Sequence, residues 1–214
     1  MLGEPIRDRR AERHEATRAE ILTAAWAVAR EQGIAALSLR DVARRVGMQA
    51  PSLYSYFTSK NDIYDAMFAQ AWTDALDGIR TLKQTLSDEP REALRTAQLW
   101  FFDFAVSDPA RYLLMGQRTI PGFEPSPQAY APAVAVIDET KALLGSFGIT
   151  SDDDVDLWIT LSAGCIAQQT ANEPGGTRWR LVLDRSVDFY CDALGITKSQ
   201  RPATKAKKPI GGKR

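Results

Sequence analysis

Hydroxyl-bearing side chains are concentrated in one short stretch, GMQAPSLYSYF, at residues 47–57. Ser52, Tyr54, Ser55 and Tyr56 fall within it, and no charged residue interrupts them. Hydroxyl groups of this kind donate hydrogen bonds to phosphate oxygens and to the edges of bases. The alternative is that the two tyrosine rings cover the protein core and leave their hydroxyls in water. The element that carries these residues decides between the two.

Two short helices are predicted around this stretch. Ser38 is a suitable N-terminal cap for the first helix, and Gly47 ends it. Pro51 favours the first turn of the second helix, where its missing N–H costs nothing. Leu53 and Phe57, four residues apart, supply the apolar face of that helix, so its hydroxyls point outward. Two short helices joined by a four-residue turn are typical of a helix-turn-helix unit, and an outward face of hydroxyls without a carboxylate favours DNA.

Longer helices are predicted on both sides of this unit. Thr17 and Glu20 have the spacing of a capping box at the start of the first helix, which Gly33 ends. Ser59 caps a fourth helix that runs through Leu76. Helical apolar periods continue through most of the remaining chain, and no convincing strand interrupts them. The sequence therefore predicts an all-α fold.

The segment from Thr17 to Phe68 resembles the DNA-binding domain of the TetR family of bacterial transcriptional regulators. The resemblance lies in the SLRDVARRVG helix, the PSLYSYF recognition helix and the SK pair that begins the next helix. It implies an N-terminal three-helix helix-turn-helix DNA-binding domain followed by a helical ligand-binding and dimerisation domain. It also implies contacts to bases, backbone or phosphates from Arg40, Ala50, Ser52, Tyr54, Tyr56 and Lys60.

Ala50 departs from the pattern of the family, because some members have a base-reading glutamine at this position. An alanine methyl contacts at most a thymine methyl, so Gln49 or Arg40 carries more of the direct base readout. Lys60 lies at a helix N-terminus, where free N–H groups and a partial positive charge already favour an anion. The alternative for Lys60 is an ordinary solvated lysine.

Charge is unevenly divided along the chain, although Lys+Arg and Asp+Glu both total 27. Residues 1–60 carry ten basic and seven acidic side chains, residues 61–197 carry ten and twenty, and residues 198–214 carry seven and none. An anionic polymer is therefore attracted to the two ends of the chain and repelled by its middle. Arg44 and Arg45 either contact phosphates or form a solvated surface, and both interpretations are open.

Four segments are expected along the chain. Residues 1–16, where arginines alternate with acids, form a flexible N-terminal arm, and residues 17–62 form the helix-turn-helix domain. Residues 63–196 form the helical effector-binding and dimerisation domain. Residues 197–214 are basic and rich in Gly and Pro, which favours a disordered tail.

Large apolar side chains in the second domain form either plain core or the wall of a ligand cavity. The family resemblance implies a small-molecule effector between helices, and large rings favour a hydrophobic one. A cavity of roughly 300 Å³ or more favours a sensor, whereas a close-packed interior favours a regulator controlled by a protein partner or by its own concentration. The candidate ligand-binding residues are Trp72, Trp100, Phe101, Phe104, Tyr112, Met115, Phe123 and Tyr130.

The last two predicted helices, at about 152–171 and 177–194, have apolar arcs too wide for a one-sided amphipathic helix. A second copy of the chain is expected to cover the additional surface, in a four-helix bundle between the subunits of a homodimer. Such a dimer fits a near-palindromic double-stranded DNA operator. The candidate interface residues are Trp158, Ile159, Ile166, Trp179, Leu183, Val187 and Tyr190.

Motifs for other classes of protein are missing from the sequence. It contains no G-x-S-x-G, P-loop or H-E-x-x-H motif, so we expect neither an enzyme nor a cofactor. His14 is the only histidine, so no metal site is expected, and Cys165 and Cys191 favour reduced core thiols. No run of eighteen apolar residues is present, which favours a cytoplasmic protein with no membrane contact. The prediction is a transcriptional repressor that a small hydrophobic effector releases from its operator.

Overall fold

A computed structural model describes residues 9–196, which contain helices and no strand. None of the helices in this part of the chain is long and apolar enough to cross a membrane. The described helices, with a single 3₁₀ turn at Ile34–Ala36 after the first, are α1 Arg9–Gln32, α2 Leu39–Arg45, α3 Ala50–Leu53, α4 Lys60–Lys83, α5 Pro90–Val106, α6 Pro109–Gly116, α7 Pro127–Ser146, α8 Asp152–Asn172 and α9 Arg178–Ala193.

The helix-turn-helix unit forms through the local signals that the sequence contains. The Ser38 hydroxyl accepts a hydrogen bond from the Asp41 N–H at the start of α2. Gly47, which follows α2, has a φ of 70°, a conformation that glycine adopts without steric cost. Leu53 and Phe57 are 0% and 1% exposed, so they anchor α3 in the core between the other helices. Their predicted inward orientation is confirmed.

The first helix is longer than predicted, because α1 begins at Arg9 rather than at Thr17. Thr17 lies inside the helix, so the predicted capping box does not form the start of α1. Packing explains the extra turns, since the His14 ring stacks on Tyr56 with centroids 4.8 Å apart. Such contacts stabilise turns that local signals alone would leave frayed. The prediction of a flexible arm is therefore wrong for residues 9–16, while the rest of that arm and the predicted tail at 197–214 lie outside the described residues.

The two predicted domains share one continuous helix. α4 passes through the predicted boundary at residues 62 and 63 without interruption and continues to Lys83. It packs along α7, where the Asp65 carboxylate accepts hydrogen bonds from the N–H and the hydroxyl of Ser126. At the other end of α4, Lys83 pairs with Glu139 of α7 at 2.6 Å. Polar contacts thus join the two helices near both ends of α4.

α5, α8 and α9 pack together in the second half of the chain. Leu94, Trp158 and Tyr190 meet in their shared core, and the Gln98 amide N–H donates to the Trp158 carbonyl at 2.9 Å. On the outside, Arg95 of α5 forms ion pairs with acidic residues of α9. Both cysteines are buried and free, as predicted.

Candidate nucleic-acid interface and effector cavity

The recognition helix is shorter than the sequence suggests. α3 contains only the four residues Ala50–Leu53, and Tyr54, Ser55 and Tyr56 lie in the turn that follows. The Ser55 hydroxyl donates to the Ser52 carbonyl at 2.6 Å, which closes this turn. Most of the hydroxyl-rich stretch therefore lies beyond the end of the helix.

Most of the predicted DNA-contacting side chains lie on the surface. Arg40, Gln49 and Ser52 are exposed, Ala50 is partly buried, and Tyr54 keeps 54% of its surface in solvent. Tyr54 is more exposed than Tyr56, the other tyrosine predicted to contact DNA. The contacts of these residues with DNA stay a prediction.

Tyr56 is held more firmly than Tyr54. Its ring stacks on His14, and its carbonyl accepts a hydrogen bond from the Arg18 guanidinium. Arg18 also lies 4.2 Å above the Phe57 ring centroid, so α1 supports the turn after α3 through two side chains. Sequence reasoning missed both of them. Their spacing of four residues, in step with the apolar face that includes Ile21, was the available signal.

Lys60 occupies the first turn of α4, as predicted. The Ser59 hydroxyl caps this helix by accepting from the Asp62 N–H. The Lys60 Nζ lies 5.2 Å from the ring centroid of Tyr64, whose hydroxyl donates to the Ile34 carbonyl at 2.8 Å. Burial raises the pKa of Tyr64 to about 12. Tyr64 thus connects α4 to the segment between α1 and α2, a role the sequence did not reveal.

Arg44 and Arg45 are both paired with carboxylates of the chain. Arg44 lies 2.6 Å from Asp41, and Arg45 donates two hydrogen bonds to Glu31 at 2.6 and 2.7 Å. The hydrogen bond from Arg45 lowers the pKa of Glu31. These pairs favour the interpretation of both arginines as a solvated, ion-paired surface.

The candidate ligand-binding residues do not surround one common cavity. Trp72 and Phe101 line a cavity of about 110 Å³ between α4, α5, α7 and α8, here called the apolar cavity. Met115, Phe123 and Tyr130 line a more open cavity of about 390 Å³ beside α6, here called the α6 cavity. Only the α6 cavity exceeds the volume of roughly 300 Å³ expected for a sensor.

The other three candidate residues line neither cavity. The Trp100 ring lies over Gly78 and stacks on Phe104 with centroids 5.4 Å apart, and the Arg111 guanidinium lies 3.8 Å above Phe104. Tyr112 is buried in a separate apolar cluster. The structure places these three residues outside both cavities, and their ligand-binding role stays a prediction.

Gln98 is a polar side chain of the apolar cavity that the sequence analysis missed. It is 2% exposed and lies four residues from both Leu94 and Phe102, which are buried. A lone amide within an apolar stripe at helical spacing was the available signal. At the edge of the cavity Lys83 and Glu139 neutralise each other.

Five of the seven candidate interface residues are buried within the single chain. Trp158, Ile166, Leu183, Val187 and Tyr190 are at most 5% exposed, so they cannot cover a partner. Ile159 lines the apolar cavity, and Trp179 is partly buried. The prediction is wrong for the buried residues, because α5 covers the side of α8 and α9 on which they lie.

Other apolar side chains of α8 and α9 lie in solvent. Leu157, Leu181, Val182 and Phe189 are 46%, 61%, 42% and 64% exposed. We refer to these four residues as the α8–α9 apolar surface. The wide apolar arcs predicted for these helices are present, but the exposed side is opposite to the one chosen from sequence.

The comparisons with known proteins agree with this architecture. Residues 21–67 match the family model described as bacterial regulatory proteins, tetR family. The HTH-type transcriptional regulator Rv1816 of Mycobacterium tuberculosis is 28% identical over 135 residues, which cover 58% of this chain and 56% of that protein. The HTH-type transcriptional activator FasR of Mycolicibacterium smegmatis is 34% identical over 98 residues, covering 46% and 44%. The chain thus spans about half the length of the curated relatives it matches.

Solved structures share the fold. The TetR family transcriptional regulator PfmR from Thermus thermophilus has a TM-score of 0.61 at 19% identity, over 85% of this chain and 99% of that one. A TetR variant from Acinetobacter baumannii, solved in complex with minocycline, has a TM-score of 0.53 at 20% identity, over 83% and 95%. A helix-turn-helix domain followed by a helical domain defines a class of DNA-binding transcriptional regulators. The match of residues 21–67 identifies the helix-turn-helix part of the chain as a tetR-family domain, as its sequence predicted, and the solved structures share the fold of most of the chain.

Proposed function

We propose that this regulator binds a near-palindromic DNA operator as a homodimer and represses transcription until a small apolar effector releases it. The observation that carries the proposal is the anchoring of α3 by Leu53 and Phe57, which leaves Gln49, Ser52 and Tyr54 exposed beside it. Exposed amide and hydroxyl groups on a rigid support suit base edges and phosphates. Action on DNA corresponds to a cytoplasmic location.

The α8–α9 apolar surface is the proposed dimer interface. Its four large apolar side chains lie in solvent on two adjacent helices, which is unfavourable unless a partner covers them. A twofold axis through this patch would pair each α8 and α9 with those of a second copy. Two recognition helices related in this way would contact half-sites about one DNA turn, roughly 34 Å, apart or a multiple of that distance.

The apolar cavity is the proposed effector site, because it is more enclosed and more apolar in its lining than the larger α6 cavity, and α4 is the proposed connection to DNA. Trp72 of α4 lines the cavity, and Lys60 begins the same helix. Twelve residues of α-helix separate them, which corresponds to about 18 Å. A bound effector that favours a different position of α4 would displace Lys60 and the attached Tyr64 from a DNA-competent geometry.

A second candidate function is a DNA-binding regulator without a small-molecule switch, controlled by a protein partner or by concentration. The apolar cavity supports this candidate through its small volume of about 110 Å³. Activation is the alternative to repression, since the matched FasR is described as an activator. A promoter-reporter assay distinguishes repression from activation.

Selection of bound genomic fragments tests the proposed function. The purified chain is incubated with fragmented genomic DNA and an excess of competitor DNA, and the retained fragments are sequenced. We expect a short near-palindromic sequence, protected in a footprint on one face of the duplex. Retention of fragments without any shared sequence would contradict operator recognition.

A further inference from the structure

Within the described residues, the side-chain N–H group of Gln98 has a hydrogen-bond partner and its side-chain oxygen has none. Its side-chain N–H donates to the Trp158 carbonyl at 2.9 Å, and no donor among residues 9–196 reaches its amide oxygen. The residue is 2% exposed and lines the apolar cavity. The oxygen is therefore an acceptor that a molecule in the cavity can satisfy, and buried polar groups are almost always hydrogen-bonded.

Two further polar groups belong to residues of the cavity wall. The Trp72 indole N–H is buried, and no acceptor within the described part of the chain contacts it. Ser162, which also lines the cavity, already donates a hydrogen bond from its hydroxyl group to the Ile159 carbonyl at 3.0 Å. The Gln98 oxygen is thus the acceptor of the wall without a partner among the described residues, and a hydroxyl group can donate to it.

Charge and volume restrict the occupant further. The charged residues on the cavity wall, Lys83 and Glu139, pair with each other at 2.6 Å, and Arg80 also pairs with Glu139. The two charged side chains of the cavity wall itself therefore balance each other, and Arg80 lies outside the lining. The volume of about 110 Å³ is comparable to the apolar cavity of about 150 Å³ that accommodates benzene in an engineered protein.

We infer that the apolar cavity binds a compact, neutral, monocyclic compound that carries a hydroxyl group, the chemistry of a phenol. The Gln98 amide oxygen accepts a hydrogen bond from the hydroxyl group of the compound. The remaining wall contacts the ring through apolar side chains such as Phe101 and Ile137. This inference rests on the proposed role of the second domain as a sensor and specifies the chemical class of its effector.

Two probes of nearly equal shape test the inference. 4-Fluorophenol and 4-fluorotoluene differ in one hydroxyl against one methyl group, and fluorine NMR titration of the full chain without DNA measures the affinity of each. We expect 4-fluorophenol to bind about three- to tenfold more tightly, the ratio of one hydrogen bond. Equal affinity, a preference for 4-fluorotoluene, or no binding of either probe would overturn the inference.

A pair of glutamine variants assigns the preference to Gln98. Gln98→Met keeps the side-chain length, removes the acceptor and should abolish the preference while 4-fluorotoluene still binds. Gln169→Met is the matched control, because Gln169 is equally buried but has both amide ends satisfied by Glu173 and Trp179 away from the cavity. An unchanged preference in Gln98→Met, or its loss in Gln169→Met, contradicts the assignment. The wild-type comparison stands even if a variant does not fold.

Operator release is measured separately, so that the two proposals fail independently. If 4-fluorophenol binds with the expected preference but leaves operator affinity unchanged, the effector mechanism is wrong and the cavity chemistry stands. If a charged or long-chain compound releases the operator by binding in this cavity, and the phenol preference is absent, the effector mechanism stands and the cavity chemistry is wrong.

Discussion

The orientation of side chains was predicted more accurately for the helix-turn-helix unit than for the second domain. In the first, Ser38, Gly47, Leu53 and Phe57 have the roles that their types and spacing predict. In the second, the helices are largely where they were expected, but Leu183 and other interface candidates are buried. Short helices with one possible apolar face leave little choice of orientation, whereas helices with wide apolar arcs leave two sides to choose from.

The difference extends to the polar groups. Around α3 they are exposed, so their partners lie outside the chain. In the second domain, Gln98 is buried and lines the apolar cavity. An exposed polar residue can be recognised in the sequence, because it lies outside the apolar pattern of its helix. A buried polar residue interrupts that pattern, and only the packed structure shows what it faces.

The largest expected effect tests whether α3 depends on its core anchor. Leu53→Ala removes a side chain that is 0% exposed and should lower the free energy of unfolding by about 3 kcal/mol. Urea denaturation followed by circular dichroism measures the change. Tyr54→Ala is the exposed control and should stay within about 0.5 kcal/mol. Equal losses would show that Tyr54 is part of the core.

The exposed side of α8 and α9 provides the next test. Leu181→Glu combined with Phe189→Glu should weaken the dimer roughly thirtyfold or more, because two central apolar contacts of about 1 kcal/mol or more each are replaced by charges. Analytical ultracentrifugation measures the dissociation constant. Val134→Glu, at a comparably exposed position on α7, should leave the constant unchanged. Dissociation caused by the α7 variant would place the interface elsewhere.

A smaller effect is expected from single charges near DNA. Lys60→Ala should reduce operator affinity about fivefold and lower the salt dependence of log K by about 0.9 per subunit, since one phosphate contact is lost. Fluorescence anisotropy at several salt concentrations measures both. Arg45→Ala is the comparison, because Arg45 is already paired with Glu31 and should change affinity little. The reverse order would mean that Arg45 exchanges Glu31 for a phosphate.

The smallest expected effect on operator affinity distinguishes Tyr54 from Tyr56. Tyr54→Phe should weaken operator binding about threefold, the effect of one lost hydroxyl contact, and Tyr56→Phe should weaken it less. Tyr56 retains its stacking on His14 in that variant, so the support of the turn is preserved. Both variants should keep wild-type helicity and dimerisation. A larger loss for Tyr56→Phe would assign the DNA contact to the stacked ring.

Much of the first domain was predictable, and the exceptions have a common cause. The early start of α1 and the stacking of His14 on Tyr56 both arise from contacts between residues more than forty positions apart. The Tyr64 hydroxyl likewise reaches across the sequence to Ile34, thirty positions away. Periodicity and capping report only neighbours along the helix, so contacts of this kind left no mark on the predicted boundaries.

The sequence by itself determined the all-α fold and the helix-turn-helix unit with its resemblance to the TetR family, because caps, prolines, glycines and helical periods act over a few residues. Tertiary structure alone decided which side of α8 and α9 is exposed, how the large rings divide between two cavities and core, and that Gln98 faces a cavity. Each of these outcomes depends on which helices become neighbours, and several apolar surfaces of similar width compete for the same partner.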